Sequence, residues 1–579
     1  MKHFFPLILL LLSSIGHAQW PAERKQAYDA AAPQEPETQA PATYLSIRPA
    51  GDIRLTTTSC SPFELADSLT APSPLNELHL HAWRGERCST QLAVQPNGPA
   101  RQLRVSCSGL SNGEQTIPAT VSMIRYTMAH GTPTADIIGT ETSCHSPAGV
   151  IRGIWVQIDV PHDAAPGIYQ GNVVVTAEGC AETMQKIMLH VGEETLPTPD
   201  KWKIHLDLWQ YPYSVARWHD VEPWSPEHFA LLRPVMQRLA AAGQKCITTT
   251  VLDEAWNGQT YDAYPSMVRW IRGRDGKMRY DYSALDAWVS FMHDEIGIRG
   301  QISCYTMIPW HLKVRFFDES TGRYDSIKAI PGTPEYAALW APFLKDFHAH
   351  MQQKGWAEKT CISIDERPDA YVRAARELLK ENAPSFRIAS AVDKPSDLTR
   401  EVFYISPVLT HAGTALGELL QERRKAGKIT TFYVCLHPIK PNTFTFSPPA
   451  EAEWLGFFAA ANQLDGFLRW AYNAWNRNPF ESTDFVKWPS GDCFLVYPGN
   501  RSSIRFERLR DGIENYEKIQ LLRARAAESP EATEIINLMN EQLADIFTVE
   551  RSTGSTHTDD VQRARNIIDR TARMLRNQK

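Results

Sequence analysis

Between Trp202 and Tyr472 the chain repeats one pattern: a short apolar run, a turn signal, a helix-like stretch, then another short apolar run. Eight runs are readable, at Trp202–Trp209, Lys245–Leu252, Gly300–Met307, Lys359–Ile364, Arg387–Val392, Val402–Val408, Lys428–Cys435 and Gly466–Tyr472. Short apolar runs separated by helices suit strands buried on both faces, because crossover helices cover a parallel sheet. The helices carry their own punctuation. "SPEHFALLRPVMQRLAAAG" opens on Ser225 and Pro226 and stops at Gly243, and "TPEYAALWAPFLKDFHAHMQQKG" opens on Thr333 and Pro334 and stops at Gly355. A capping hydroxyl, a proline in the first turn and a glycine past the end mark helix boundaries. "YSALDAWVSFMHDEIG", Pro368–Asn382, Gly413–Gly427 and Pro448–Gln463 supply further helices, and the linker before the sixth run is weak. The pattern predicts a central (β/α)8 TIM-type barrel over residues 198–505. An open doubly wound sheet is the alternative, but no glycine-rich phosphate loop follows any run.

The flanks have different characters. Residues 1–18 read as a signal peptide: Lys2 and His3 precede the apolar run Phe4–Ile15, and Gly16-His17-Ala18 offers a small-x-small cleavage site. An exported protein, periplasmic or secreted, is expected. Residues 19–43, rich in Ala, Pro, Gln and Glu, read as a flexible leader. From 44 to 197 short alternating runs such as "IWVQIDVP" and "GIYQGNVVVTAEG" predict an N-terminal β-sandwich. Residues 506–579 read as a C-terminal helical segment in which Leu509, Ile513, Tyr516 and Leu522 share one face, so it should dock as a small cap. After the leader no apolar run approaches the length of a membrane span. A net charge of −6 argues against a nucleic-acid partner. The ten cysteines include no CxxC and no metal-ligand spacing, and the later ones sit inside apolar runs as small hydrophobes. No metal or cofactor is expected.

A barrel of this kind carries its active site at the C-terminal ends of its strands. The fourth run ends in "CISIDERPDAY", where Asp365 and Glu366 stand side by side. Asp253-Glu254 is a rival pair after the second run. His205, Asp207 and Tyr305, with Trp209, Trp310 and His311, fall on or after the first and third runs. Asp393, His437, Trp470, Tyr472, Trp475 and Asn476 follow the later ones. Carboxylates beside indole faces suit a carbohydrate: the apolar face of a sugar stacks on Trp or Tyr, and its hydroxyls need Asp, Asn or His. Glycoside cleavage needs an acid for the leaving oxygen and a group that stabilises the oxocarbenium-like transition state. Adjacent acids reach neighbouring atoms more readily than opposite faces of a ring. That suits a substrate whose own 2-acetamido oxygen attacks the anomeric carbon, with one acid orienting the acetamide N–H and the other acting as acid and then base. The same dipeptide also suits the start of a helix, where a carboxylate favours the N-terminal dipole.

"HAWRGERCSTQLAV", "VPHDAAPGIYQGNVVV", "SIDERP", "GFLRWAYNAWNRNPF", "GDCFLVYPG" and "IRFERLRDGIENYEKIQLL" together resemble glycoside hydrolase family 123. The resemblance implies an N-terminal β-sandwich, a (β/α)8 catalytic domain and exo-acting, retaining, substrate-assisted β-N-acetylgalactosaminidase activity on terminal β-linked GalNAc of glycans or glycolipids. It implies that Asp365 polarises the acetamide, that Glu366 is the acid/base, and that Trp470, Tyr472 and Trp475 wall the sugar pocket. His205, Asp207, Tyr305, His437 and Asn476 are geometric candidates for substrate contact. A β-hexosaminidase acting on GlcNAc and a non-catalytic glycan-binding protein are the alternatives.

Overall fold

The computed structural model describes residues 40–56, 77–554 and 557–578. The expected signal peptide, most of the leader and Cys60 lie outside the described residues. The N-terminal domain has two facing sheets. One runs in the order Leu45–Pro49, Arg87–Pro96, Arg152–Asp159, Ala119–Ala129, Thr132–Ile138; the other is built on Glu77–Arg84, Thr183–Thr195, Gly167–Thr176, Ala100–Cys107 and Ser143–Ser146. Strand Thr183–Thr195 shows why it forms: Gln185, Ile187, Leu189 and Val191 are buried in alternation with more exposed neighbours. Their apolar members join Leu92, Val94, Ile154, Val156 and Val173 in a core between the sheets.

All eight expected barrel strands form, in one parallel sheet: His205–Leu208, Cys246–Thr250, Gln301–Tyr305, Thr360–Asp365, Arg387–Val392, Tyr404–Pro407, Ile429–Tyr433 and Gly466–Arg469. The first strand pairs with the eighth, and the ring closes where Lys245 N donates to Leu206 O at 3.0 Å. The Gln244 side chain seals that seam, accepting from Leu208 N at 3.0 Å and donating to Leu208 O at 3.1 Å. Helices Pro226–Ala240 and Pro334–Gln353 begin where the punctuation placed them, with Ser225 and Thr333 accepting from the amides of His228 and Tyr336. The linker before the sixth strand holds only a short 3-10 turn, Asp397–Arg400. A four-stranded sheet, Met278–Asp281, Arg269–Arg272, Lys313–Asp318 and Arg323–Lys328, was not expected; it grows from the loops after the second and third barrel strands.

The expected C-terminal helices form, and the first of them, Ile504–Ala524, is buried far more deeply than a small docked cap would be. It is buried on every side from Ile504 to Ile519, charged residues included. It runs between the sandwich and the barrel, so its charges face other charges instead of water. Arg505 pairs with Asp136 of the sandwich at 3.0 Å, Lys518 with Glu86 at 2.6 Å, and Glu507 lies between Arg87 and Arg238. Such pairs are tolerated only when every partner is present. Just before the helix, Ser502–Ser503 adds a strand to the first sandwich sheet beside Ile137 and Ile138. Gly512 lies against Gly456 of helix Pro449–Ala461 so closely that a Cβ on Gly456 would fall 2.1 Å from the Gly512 carbonyl oxygen. Only glycine allows that approach of two helix backbones. Each described cysteine is a free thiol, and Cys246, Cys304, Cys361 and Cys493 are buried, as their apolar surroundings predict.

Candidate active site

The fourth strand presents Cys361, Ser363 and Asp365 at alternate positions. On a continuing strand Glu366 would point to the other side. Instead Glu366 takes a left-handed backbone, φ 45, and its amide donates to Ala391 O at 3.1 Å. The chain turns there, and helix Asp369–Asn382 starts with Pro368 at its cap and no side-chain cap bond. The acid pair therefore does not cap the helix. A left-handed non-glycine residue stores strain of about 1 kcal/mol, a feature that clusters at functional sites.

Each acid holds one side-chain donor. Trp310 Nε1 donates to Asp365 Oδ2 at 3.2 Å, and the Tyr433 hydroxyl donates to Glu366 Oε1. Arg367, whose charge acts on Asp365, lies with its guanidinium 4.8 Å over the Trp310 ring. Asp365 is half-buried and Glu366 exposed. Enclosure by protein, and next the charge of Glu366, push the Asp365 carboxyl upward; the Trp310 bond and Arg367 oppose this only in part. Asp365 therefore keeps its proton across a range in which an isolated carboxyl would be ionised. Burial, then the Glu366 charge and its hydrogen bond, push Tyr433 up in turn, which keeps it a donor.

Beside the acids lies a buried aromatic cluster, each ring 1–3% exposed. Tyr305, Trp209 and Trp256 pack together, with centroids 4.5 Å apart for Trp209–Tyr305 and 5.2 Å for Trp256–Tyr305, and Tyr211 and Tyr264 extend the cluster. The indole N–H groups of Trp209 and Trp256 are buried and find no partner among the described residues. Tyr305 pairs in register with Ser363, two residues before Asp365, so the cluster adjoins the end of the fourth strand. Trp470 joins it edge-on, 6.3 Å from Tyr211 by ring centroids, and donates to Asp492 Oδ2 at 3.0 Å.

Several candidates from the sequence fall elsewhere. His205 opens its strand, so it lies at the N-terminal mouth, 3.3 Å from Cys246 Sγ. Asp207 sits between the two mouths, 1% exposed, with no partner in hydrogen-bonding geometry among the described residues. Burial raises it to about 7. Tyr472, Trp475 and Asn476 lie beyond the end of the eighth strand, which stops at Arg469. All three are buried: Tyr472 donates to Val235 O, Trp475 to Val496 O, and Asn476 to Ser482 O and Asp484 O. They brace the loop that follows the eighth strand. His437 is exposed on the loop after the seventh strand. Asp253 and Glu254 are spoken for by loop amides and Arg315. Tyr433 and Tyr211 were missed. The period-two alternation of Thr431 and Tyr433 could have found Tyr433, had the seventh strand not been carried two residues too far. Among the described residues no group of three or more His, Cys, Asp or Glu is placed to hold a metal, and no helix is long and apolar enough to cross a membrane.

Known proteins match this architecture. Residues 209–522, more than half the chain, match the glycoside hydrolase 123 catalytic domain, and residues 67–177 match the glycoside hydrolase 123 N-terminal domain. A family 123 glycoside hydrolase from Clostridium perfringens, solved in a study of glycolipid glycan hydrolysis, aligns with a TM-score of 0.82 and 25% identity over 92% of this chain and 98% of that one. A GH5 xyloglucanase from Bacteroides ovatus aligns with a TM-score of only 0.29 and 9% identity over 76% of this chain and 98% of that one, too weak to carry an argument. No curated protein matches. With both family domains matched in order on a barrel whose fourth strand ends in the acid pair, this chain belongs to glycoside hydrolase family 123.

Proposed function

We propose that the protein is an exported, retaining exo-β-N-acetylgalactosaminidase that removes terminal β-linked GalNAc by substrate-assisted hydrolysis. The observation that carries this reading is the left-handed turn at Glu366, which puts two consecutive carboxyls at one mouth, each held by a side-chain donor and neither ion-paired to a basic residue. Two carboxyls at one end of one strand suit neighbouring atoms of a substrate. Asp365, enclosed and beside the aromatic cluster, accepts the acetamide N–H and offsets the positive charge of the oxazolinium ion. That N–H bond favours the Asp365 anion, and the proton that Asp365 gives up passes to Glu366. Glu366, exposed and steadied by Tyr433, gives it to the leaving oxygen and then takes a proton from the water that opens the oxazolinium ring. Inversion at the anomeric carbon occurs twice, so configuration is retained. The Clostridium perfringens relative supports glycolipid glycans as the substrate class, and the leader pattern of residues 1–18 supports export.

The test is a set of parallel rates on aryl β-glycosides of GalNAc, GlcNAc and galactose, with a GalNAc-thiazoline as inhibitor. The expected result is fastest release from GalNAc, tight inhibition by the thiazoline, and negligible release from galactose, which has a plain hydroxyl at carbon two. Brisk cleavage of the galactoside would remove the substrate-assisted mechanism. A faster rate on GlcNAc would keep the mechanism and replace the sugar.

A further inference from the structure

The N-terminal mouth of the barrel, opposite the acid pair, holds a cavity of about 370 Å³. Lys203, Lys245, Lys359 and Arg387 line it, with Glu358 as the one lining carboxylate. Among the described residues none of the four cations is ion-paired to a carboxylate. Lys245 Nζ reaches only the backbone carbonyls of Asp200 and Pro199, at 3.2 and 3.4 Å, and Lys359 Nζ lies 2.9 Å from His293 Nε2. The Arg387 guanidinium rests 4.3 Å over the Phe403 ring, which leaves its N–H edges available. Glu517, behind Lys203, is committed to the backbone amide of Ile204 at 2.8 Å.

A second observation is independent of charge. Gln301 lines the same cavity and is 7% exposed. Its amide nitrogen donates to Ser303 Oγ at 2.9 Å, and its Oε1 finds no partner among the described residues. A buried amide oxygen without a donor is costly, so a bound hydroxyl or water is favoured there. Cations would attract an oxyanion, and the orphaned acceptor would take a hydroxyl. The volume suits a monosaccharide-sized molecule.

We propose that this mouth is a second ligand site, for a small hydroxylated oxyanion such as a phosphorylated sugar, separate from the hydrolytic centre. The cavity lies where barrels of this kind do not place catalysis. Binding there would act on the barrel from below without entering the reaction.

Glucose 6-phosphate, inorganic phosphate and glucose are the probes, titrated calorimetrically into the full chain. The expected result is binding of glucose 6-phosphate, weaker binding of inorganic phosphate and none of glucose. The double variant Lys245→Gln/Arg387→Gln should bind glucose 6-phosphate at least ~10-fold more weakly, the loss of one charge-assisted hydrogen bond, with its glycosidase rate unchanged. The single variant Arg387→Gln, altered at an exposed side chain, guards against misfolding of the double one and should weaken binding in the same direction. Absence of heat with glucose 6-phosphate, equal affinity in the variants, or displacement by the GalNAc-thiazoline would each overturn the proposal. The last result would move the anion to the hydrolytic mouth.

Discussion

Two Asp-Glu pairs end barrel strands in this molecule, and they are built alike. Asp253-Glu254 follows the second strand and Asp365-Glu366 closes the fourth; in both the glutamate has a left-handed backbone, φ 54 and φ 45. Their surroundings differ. Asp253 accepts from the Ser266 amide at 2.7 Å and pairs with Arg315 at 3.2 Å. Glu254 accepts from the amides of Gly258 and Tyr264, at 2.8 and 3.0 Å, and so ties down the loop that carries Trp256. Asp365 and Glu366 have one side-chain donor each and no ion pair with a base. On the reading proposed above, adjacency and strand position do not make a reactive pair. Lone pairs left without a donor do, and a neighbouring cation closes them.

That contrast can be broken or sharpened by substitution. Glu366→Gln should lower kcat by ~10³-fold or more on unactivated substrates and less on good leaving groups, as loss of general acid catalysis requires, with the melting temperature nearly unchanged. Asp365→Asn should cost ~10²–10³-fold in kcat, since the electrostatic partner of the developing cation is lost. Near-native rates in both would make this pair no more reactive than the one on strand two. Asp207 extends the comparison to a fully buried acid whose neighbours Tyr404, Cys246 and Trp209 are all neutral groups. Burial holds it at about 7, above its unfolded value, so the folded protein keeps a proton that the unfolded chain has released. Its contribution is full below the ordinary carboxylate range and is lost as pH rises, by ~1.4 kcal/mol between about pH 6 and about pH 8. Asp207→Asn should flatten that part of the stability curve, read by urea denaturation at each pH. Glu254→Gln should show the smallest effect: about 1 kcal/mol of stability from a weakened loop anchor, with kcat within about twofold.

Much of the fold was legible because apolar periodicity and helix punctuation are local signals. All eight barrel strands and the caps at Ser225 and Thr333 follow from them. The acid pair was legible too, since its place at a strand end needs only the strand count. What failed depended on where strands stop and on tertiary partners. The eighth strand ends at Arg469 because the chain then leaves the sheet: the Tyr472 amide donates to Trp209 O, and the Asn473 side chain binds the Tyr211 backbone. Carrying it on to Tyr472 put Tyr472, Trp475 and Asn476 in the pocket. His205 was assigned to the wrong mouth because strand membership does not say which end of the strand a residue occupies. Helix Ile504–Ala524 misled for another reason. Its charged residues look like a solvated face until Asp136, Glu86 and Arg87, hundreds of residues away, are brought against them.

Ser502 and Ser503 belong by sequence to the end of the catalytic region and by hydrogen bonding to the first domain. A gene fragment encoding the barrel alone would leave that strand without its neighbour and the following helix without Asp52, Glu86, Arg87 and Asp136. The two halves are thus poor candidates for shuffling as independent modules, and lineages should gain or lose them together.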